Sequence, residues 1–323
     1  MDYHSLARQH VVTGADTALV PAKRRPLVLR AAHLQAKLDS NDITSLNSLV
    51  STLGAVGFGQ LGRDMAVSGG NLILVDTGSI AVTGPVTAPN ITLTVPTIGA
   101  TGSIGGATLV SLIGTVGGIA INTGGIVTGP TVSLNGGPTV AIAGTGTVGS
   151  AGGTVVLAAP GPVTEAATAK IAAATLTTAG TIGGGATLLG TSNAVGTISN
   201  VFASNFRLVD SNALTVANTI SVPGTLDLST SSGAVVQSSG SIVAGTFKSS
   251  TSIANGVSLI QVTNKIGTLG NIAVPSTETI AVANSIDMTV AGTLSANRIV
   301  VNNTAAVLTF ANGAAIVTNG SLR

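Results

Sequence analysis

Apolar and polar residues alternate in short runs along most of the chain. Ile91-Thr92-Leu93-Thr94-Val95 and Leu226-Asp227-Leu228 are examples, bounded by Gly, Asn, Pro or Ser. Alternation with a period of two over a few residues predicts half-buried β-strands, and the bounding residues predict turns. From residue 43 onward such runs recur roughly every 8 to 11 residues, which leaves no room there for a helix of any length.

The runs belong to longer repeats, and a repeat decides the architecture before any local detail. Four segments share one pattern: Val50-Ser51-Thr52-Leu53-Gly54-Ala55-Val56, Ile113-Gly114-Thr115-Val116-Gly117-Gly118-Ile119, Val195-Gly196-Thr197-Ile198-Ser199-Asn200-Val201 and Ile266-Gly267-Thr268-Leu269-Gly270-Asn271-Ile272. Their starts at Val50, Ile113, Val195 and Ile266 are unevenly spaced. Residues 171–201 align without a gap onto 242–272, keeping Ile171/Ile242, Thr175/Thr246, Ile182/Ile253, Leu188/Leu259, Asn193/Asn264 and Thr197/Thr268. A second element pairs Asn71-Leu72-Ile73-Leu74-Val75-Asp76 with Asn205-Phe206-Arg207-Leu208-Val209-Asp210.

Short strands in a repeating frame predict an all-β parallel β-helix, a solenoid in which each coil contributes about three strands and each unit of about 72 residues about three coils. At the strand spacing of about 4.8 Å, roughly a dozen coils make a rod on the order of 60 Å long. A flat β-sandwich also accommodates short strands and turns, but it does not predict a unit repeated across the chain.

Composition sharpens this reading. The 323 residues include 43 Gly, no Cys and no Trp, with 7% charged and 2% aromatic residues. A core must therefore be built from Val, Ile, Leu and Ala, the side chains that stack on themselves in a narrow channel. Charge is scarce because like charges at equivalent positions of successive coils would repel. Disordered chains combine low hydrophobicity with high charge, whereas the mean hydropathy here is +0.59. No long uninterrupted apolar run suggests a membrane-spanning helix, and without Cys there is neither a disulfide framework nor a thiolate metal site.

Charge divides the chain in two. Residues 1–42 hold six Lys or Arg, four Asp, all three His (His4, His10, His33) and Tyr3, while residues 43–323 carry seven charges of each sign. The cluster Lys23-Arg24-Arg25 precedes residues 27–38, whose apolar spacing allows one amphipathic helix. A solvated, part-helical or disordered leader is preferred over a nucleic-acid-binding segment. It lacks the order of a secretory signal, so the expectation is that the true start lies elsewhere or that the sequence begins mid-protein.

The forms Ile242-Val243-Ala244-Gly245-Thr246-Phe247, Ser252-Ile253-Ala254-Asn255-Gly256-Val257-Ser258-Leu259, Ile266-Gly267-Thr268-Leu269-Gly270 and the stretch from Leu208-Val209-Asp210 to Leu214-Thr215-Val216 resemble the repeats of large filamentous-haemagglutinin-like bacterial surface proteins. The resemblance covers about residues 43–323. It implies a right-handed parallel β-helix, secretion through an outer-membrane partner, a place outside or on the surface of a Gram-negative cell, and adhesion to receptors or glycans of host or neighbouring cells. The expected role is a structural or adhesive shaft without catalysis, cofactor, metal or nucleic-acid partner. The alternative is a carbohydrate-binding or polysaccharide-cleaving β-helix of the phage-tailspike kind.

Candidate chemistry is sparse. Gly144-Thr145-Gly146-Thr147-Val148-Gly149, with Glu165 further on, matches a dinucleotide fingerprint in letters. That fingerprint requires a helix opening at the glycines, and Ser150-Ala151-Gly152-Gly153-Thr154 does not propose one. Polysaccharide cleavage needs clustered carboxylates, but Asp64, Asp76, Glu165, Asp210, Asp227, Glu278 and Asp287 are dispersed, and Asp76 and Asp210 share a repeat position that suggests a structural role at strand ends. The repeats hold no His for a triad or a zinc site and no calcium-binding nonapeptide. Thr-x-Thr at Thr92 and Thr94 and at Thr145 and Thr147 raises an ice-binding face, but the Thr are not expected to recur in every coil and read as strand-surface residues.

Overall fold

The computed structural model describes residues 65–66, 71–75, 78–304 and 307–323. The charged segment 1–42, the first repeat copy (Val50 to Val56), Asp64 and Asp76 lie outside the described residues. Within them the chain forms 26 strands and no helix, and every ladder between strands is parallel. The strands stack as a β-solenoid of about 12 turns. A coil has three strands, as in Ile126–Thr128, Thr131–Gly136 and Val140–Ile142.

Several strands are longer than the sequence predicts: Val86–Ala100, Ser103–Ile121 and Leu214–Thr230 contain 15, 19 and 17 residues. They run over the corners, where the register slips, as between Ala88 and Asn90. Pairing resumes on both sides of each slip, so these long strands continue round the bend. One corner takes a left-handed backbone in consecutive coils, at Asn200 (φ 52°), Asn218 (φ 55°) and Gly240 (φ 75°), residue types that tolerate positive φ.

The interior is a set of aliphatic stacks. Val155, Leu176, Ile198 and Val216 lie one above another on one face and are fully buried. On another, Val163, Ala186, Phe206, Leu226, Phe247, Leu269 and Val290 follow in register. The two buried Phe in this stack are separated by Leu226, so no large ring sits on another. Full burial of a Val, Leu, Ile or Phe side chain contributes about 1.5–3 kcal/mol, and this contribution recurs in each coil.

Register also explains the repeat in space. Coils differ in length: the step from Val86 to Ile104 is shorter than the step from Thr147 to Lys170. Three steps up from Val163, through Ala186 and Phe206, arrive at Leu226. The repeat counterpart of Val163 is instead Val235, further along the chain, so one repeat overshoots three coils by roughly one side. Val163 and Ala186 accordingly correspond to Val235 and Val257, which continue the Val155 face: Leu214 pairs with Val235 and Val235 with Val257. The copy that begins at Val235 therefore lies one face further round than the copy that begins at Val163.

Replacing Ile198 by Ala should destabilise the solenoid by about 2–5 kcal/mol, since its cavity would be closed above and below by Val216 and Leu176. Denaturant titration followed by circular dichroism measures this. A loss below about 1 kcal/mol would contradict continuous packing of the stack.

Candidate functional site

The strands distribute the predicted carboxylates unevenly. Glu165 and Asp210 turn inward at the ends of Val163–Glu165 and Phe206–Asp210 and are 3% and 0% exposed. Asp227 is also only 3% exposed, covered among Arg207, Lys248 and Ser250, and Glu278 and Asp287 lie elsewhere, Asp287 accepting the Val307 N–H at 2.8 Å. Of the dispersed acids, Glu165 and Asp210 are brought together.

Glu165 interrupts an aliphatic stack, with Ile142 on one side and Leu188 on the other. Its Oε2 accepts from the Gly190 N–H (2.9 Å) and from Asn193 Nδ2 (2.8 Å). Asn193, itself fully buried, accepts from the Ile171 N–H at 2.6 Å and donates to the Val209 carbonyl at 3.0 Å. Asp210 Oδ1 accepts from the Val195 N–H at 3.0 Å. Glu165 Oε1 and Asp210 Oδ2 have no hydrogen-bond partner among the described residues. Burial pushes the Glu165 carboxyl above its ordinary range, opposed by Asn193 and Gly190. It pushes Asp210 up to about 6, against the N–H groups of Val195, Ser211 and Asn212 and with a further upward push from the charge on Glu165.

The next repeat copy holds the same arrangement in amide form. Gln237 stands for Glu165, Asn264 for Asn193 and Asn284 for Asp210. Gln237 and Asn264 exchange hydrogen bonds at 2.9 and 2.8 Å, Asn264 accepts the Ile242 N–H at 2.8 Å, and Asn284 accepts the Ile266 N–H at 2.7 Å. Asn264 Nδ2 also donates to the Ala283 carbonyl, and Asn284 Nδ2 to that of Ile286. Asn193 thus caps the Ile171 N–H of the preceding coil, and Asn264 caps that of Ile242 in the same way. This shared bond explains why the alignment keeps Ile171/Ile242 and Asn193/Asn264 together.

On the outside, Arg207, Asp227 and Lys248 occupy one column in three successive coils. Arg207 Nε is 3.4 Å and Lys248 Nζ 3.8 Å from Asp227 Oδ2. Asp227 also accepts from the Ser250 N–H at 2.8 Å and from the Ser250 hydroxyl. Stacking thus places charges of alternating sign in contact.

Thr does not recur in every coil, but the register gathers it into two runs, the first bounded by Leu109 and Val236. Thr131, Thr154, Thr175, Thr197 and Thr215 form one outward ladder, and Thr225, Thr246, Thr268, Thr289 and Thr309 a second. The intervals between successive members vary with coil length, which hides them from any fixed-period reading.

The glycine motif is a turn followed by the strand Thr147–Ala158, not a helix. Gly149 (φ 87°) is required there, because a side-chain carbon would collide with the Ala172 carbonyl. Among the described residues no three His, Cys, Asp or Glu side chains group to hold a metal ion, and no helix is long and apolar enough to cross a membrane. Comparison with family models, with curated proteins and with solved structures finds no match.

Substituting Asn264 by Ala leaves the Ile242 N–H and the Gln237 amide buried without their partner, at about 1–3 kcal/mol for each orphaned group. Lys248→Ala should cost about 0–1 kcal/mol, as expected of a part-exposed ion pair. Chemical denaturation of the two variants side by side checks the ordering. Equal losses would contradict the role given to Asn264.

Proposed function

We propose that this chain is a stiff shaft segment of a secreted or cell-surface bacterial adhesin, presenting its long side faces to receptors or glycans of host or neighbouring cells. The observation that carries this reading is the stacking of parallel coils round one aliphatic core through about 12 turns. Deformation of such a rod would expose apolar surface in every coil it touches. The side faces suit repeated, low-charge contact: the Thr ladders are neutral, and in the Arg207–Asp227–Lys248 column one carboxylate offsets one of the two cations.

The polysaccharide-cleaving alternative calls for an outward groove holding a pair of carboxylates. Glu165 and Asp210 face the core, and Asp227 is engaged by Arg207, Lys248 and Ser250. The distribution of acids therefore favours the shaft.

Beads coated with the full chain should bind bacterial or host cells or a glycan array more than uncoated beads, and the same preparation should release no reducing ends from bacterial polysaccharides. Absence of binding to every surface would count against an adhesive face. Release of reducing ends that is lost in Asp227→Asn would replace the shaft reading with the enzymatic one.

A further inference from the structure

Two copies of one buried polar arrangement lie a little over three coils apart, and they differ in whether they can ionise. In the first, Glu165, Asn193 and Asp210 receive the N–H groups of Gly190, Ile171 and Val195. In the second, Gln237, Asn264 and Asn284 stand in their places, with the N–H groups of Ile242 and Ile266 bound in the same way. The amides satisfy one another, whereas the first copy leaves one oxygen on each carboxyl without a hydrogen-bond partner among the described residues, both in the solvent-excluded interior.

We propose that Glu165 and Asp210 make the first copy a proton-operated seam: protonated, the two carboxyls let the coils between residues 163 and 210 close tightly, and ionised, they loosen that stretch while the amide copy stays closed.

The surroundings offer the charged form N–H donors, of Gly190 and Asn193 at Glu165 and of Val195, Ser211 and Asn212 at Asp210, which burial outweighs. Ile142 and Leu188 flank Glu165. Among the charged side chains on the strands packed around the seam, Lys170 is exposed and Arg207 is bound to Asp227 on the outer surface. No described cation pairs with Glu165 or Asp210. The charge on Glu165 also raises the cost of ionising Asp210.

The direction of the pH effect follows. Burial pushes the Asp210 carboxyl from an ordinary 3.8 up to about 6, and displaces Glu165 the same way. A carboxyl raised on folding contributes stability that is complete below its unfolded pKa and is lost as pH rises through the folded one. The seam is therefore tight near pH 4 and loosest above about pH 6 to 7.

Hydrogen–deuterium exchange on the full chain, corrected for intrinsic rates, tests this. Between about pH 5 and about pH 8, protection of the Ile171, Gly190 and Val195 amides should fall on the order of tenfold more than that of Ile242 and Ile266. In the double variant Glu165→Gln with Asp210→Asn, the two copies should respond alike. Equal responses of the two copies in the unsubstituted chain would overturn the proposal, as would a selective response that persists in the double variant. Should the double variant fail to fold, the comparison of the two copies within the unsubstituted chain still decides.

Discussion

Away from the end coils and the slips, an inward side chain of this solenoid has an inward side chain directly above and below it, about one strand spacing of 4.8 Å away. A residue must therefore suit itself twice over, because its neighbours on both sides occupy the equivalent position. Val, Ile, Leu and Ala meet this condition, and they fill the stacks running through Val155, Leu176, Ile198 and Val216. Larger rings enter only when spaced, as Phe206 and Phe247 are by Leu226. The shortage of aromatic residues and the wealth of small aliphatic ones are consequences of this repetition.

The same constraint governs polar groups. A buried amide is tolerated in the stack because it both donates and accepts, so Gln237, Asn264 and Asn284 close a network with the backbone. A carboxylate only accepts, and Glu165 and Asp210 are left with unmatched oxygens in the same geometry. On the outer surface a column of like charges would repel, and the sequence Arg207, Asp227, Lys248 alternates in sign instead. Electrostatics in this fold is a matter of columns rather than of isolated pairs.

The repeat unit and the coil are separate periods. Residues that match between repeat copies, such as Ile171 and Ile242, make the same local bonds but sit on different faces, because three coils take up less chain than one repeat in this region. A feature carried by the repeat is thus distributed round the rod. The two Thr ladders show this: Thr175 and Thr197 belong to one face, and their counterparts Thr246 and Thr268 to the other.

The alternation of apolar and polar residues, the glycine and asparagine turns and the self-similarity already specify stacked parallel strands with an aliphatic interior. Those signals are local, since a period of two decides which way each side chain points without reference to any other strand. The same reading placed Asp210 at a strand end and denied the glycine motif a helix. What sits above what depends on coil lengths that change from turn to turn, as between Val86↔Ile104 and Thr147↔Lys170, and whose differences accumulate along the chain. Glu165 and Asp210 lie on separate strands far apart in the chain, and only closure of the intervening coils makes them neighbours. The Thr ladders and the alternating charge column were hidden for the same reason. Sequence by itself determined the direction of each side chain, and the tertiary structure decided its company, because register between coils is set by packing over the whole stack rather than by any single strand.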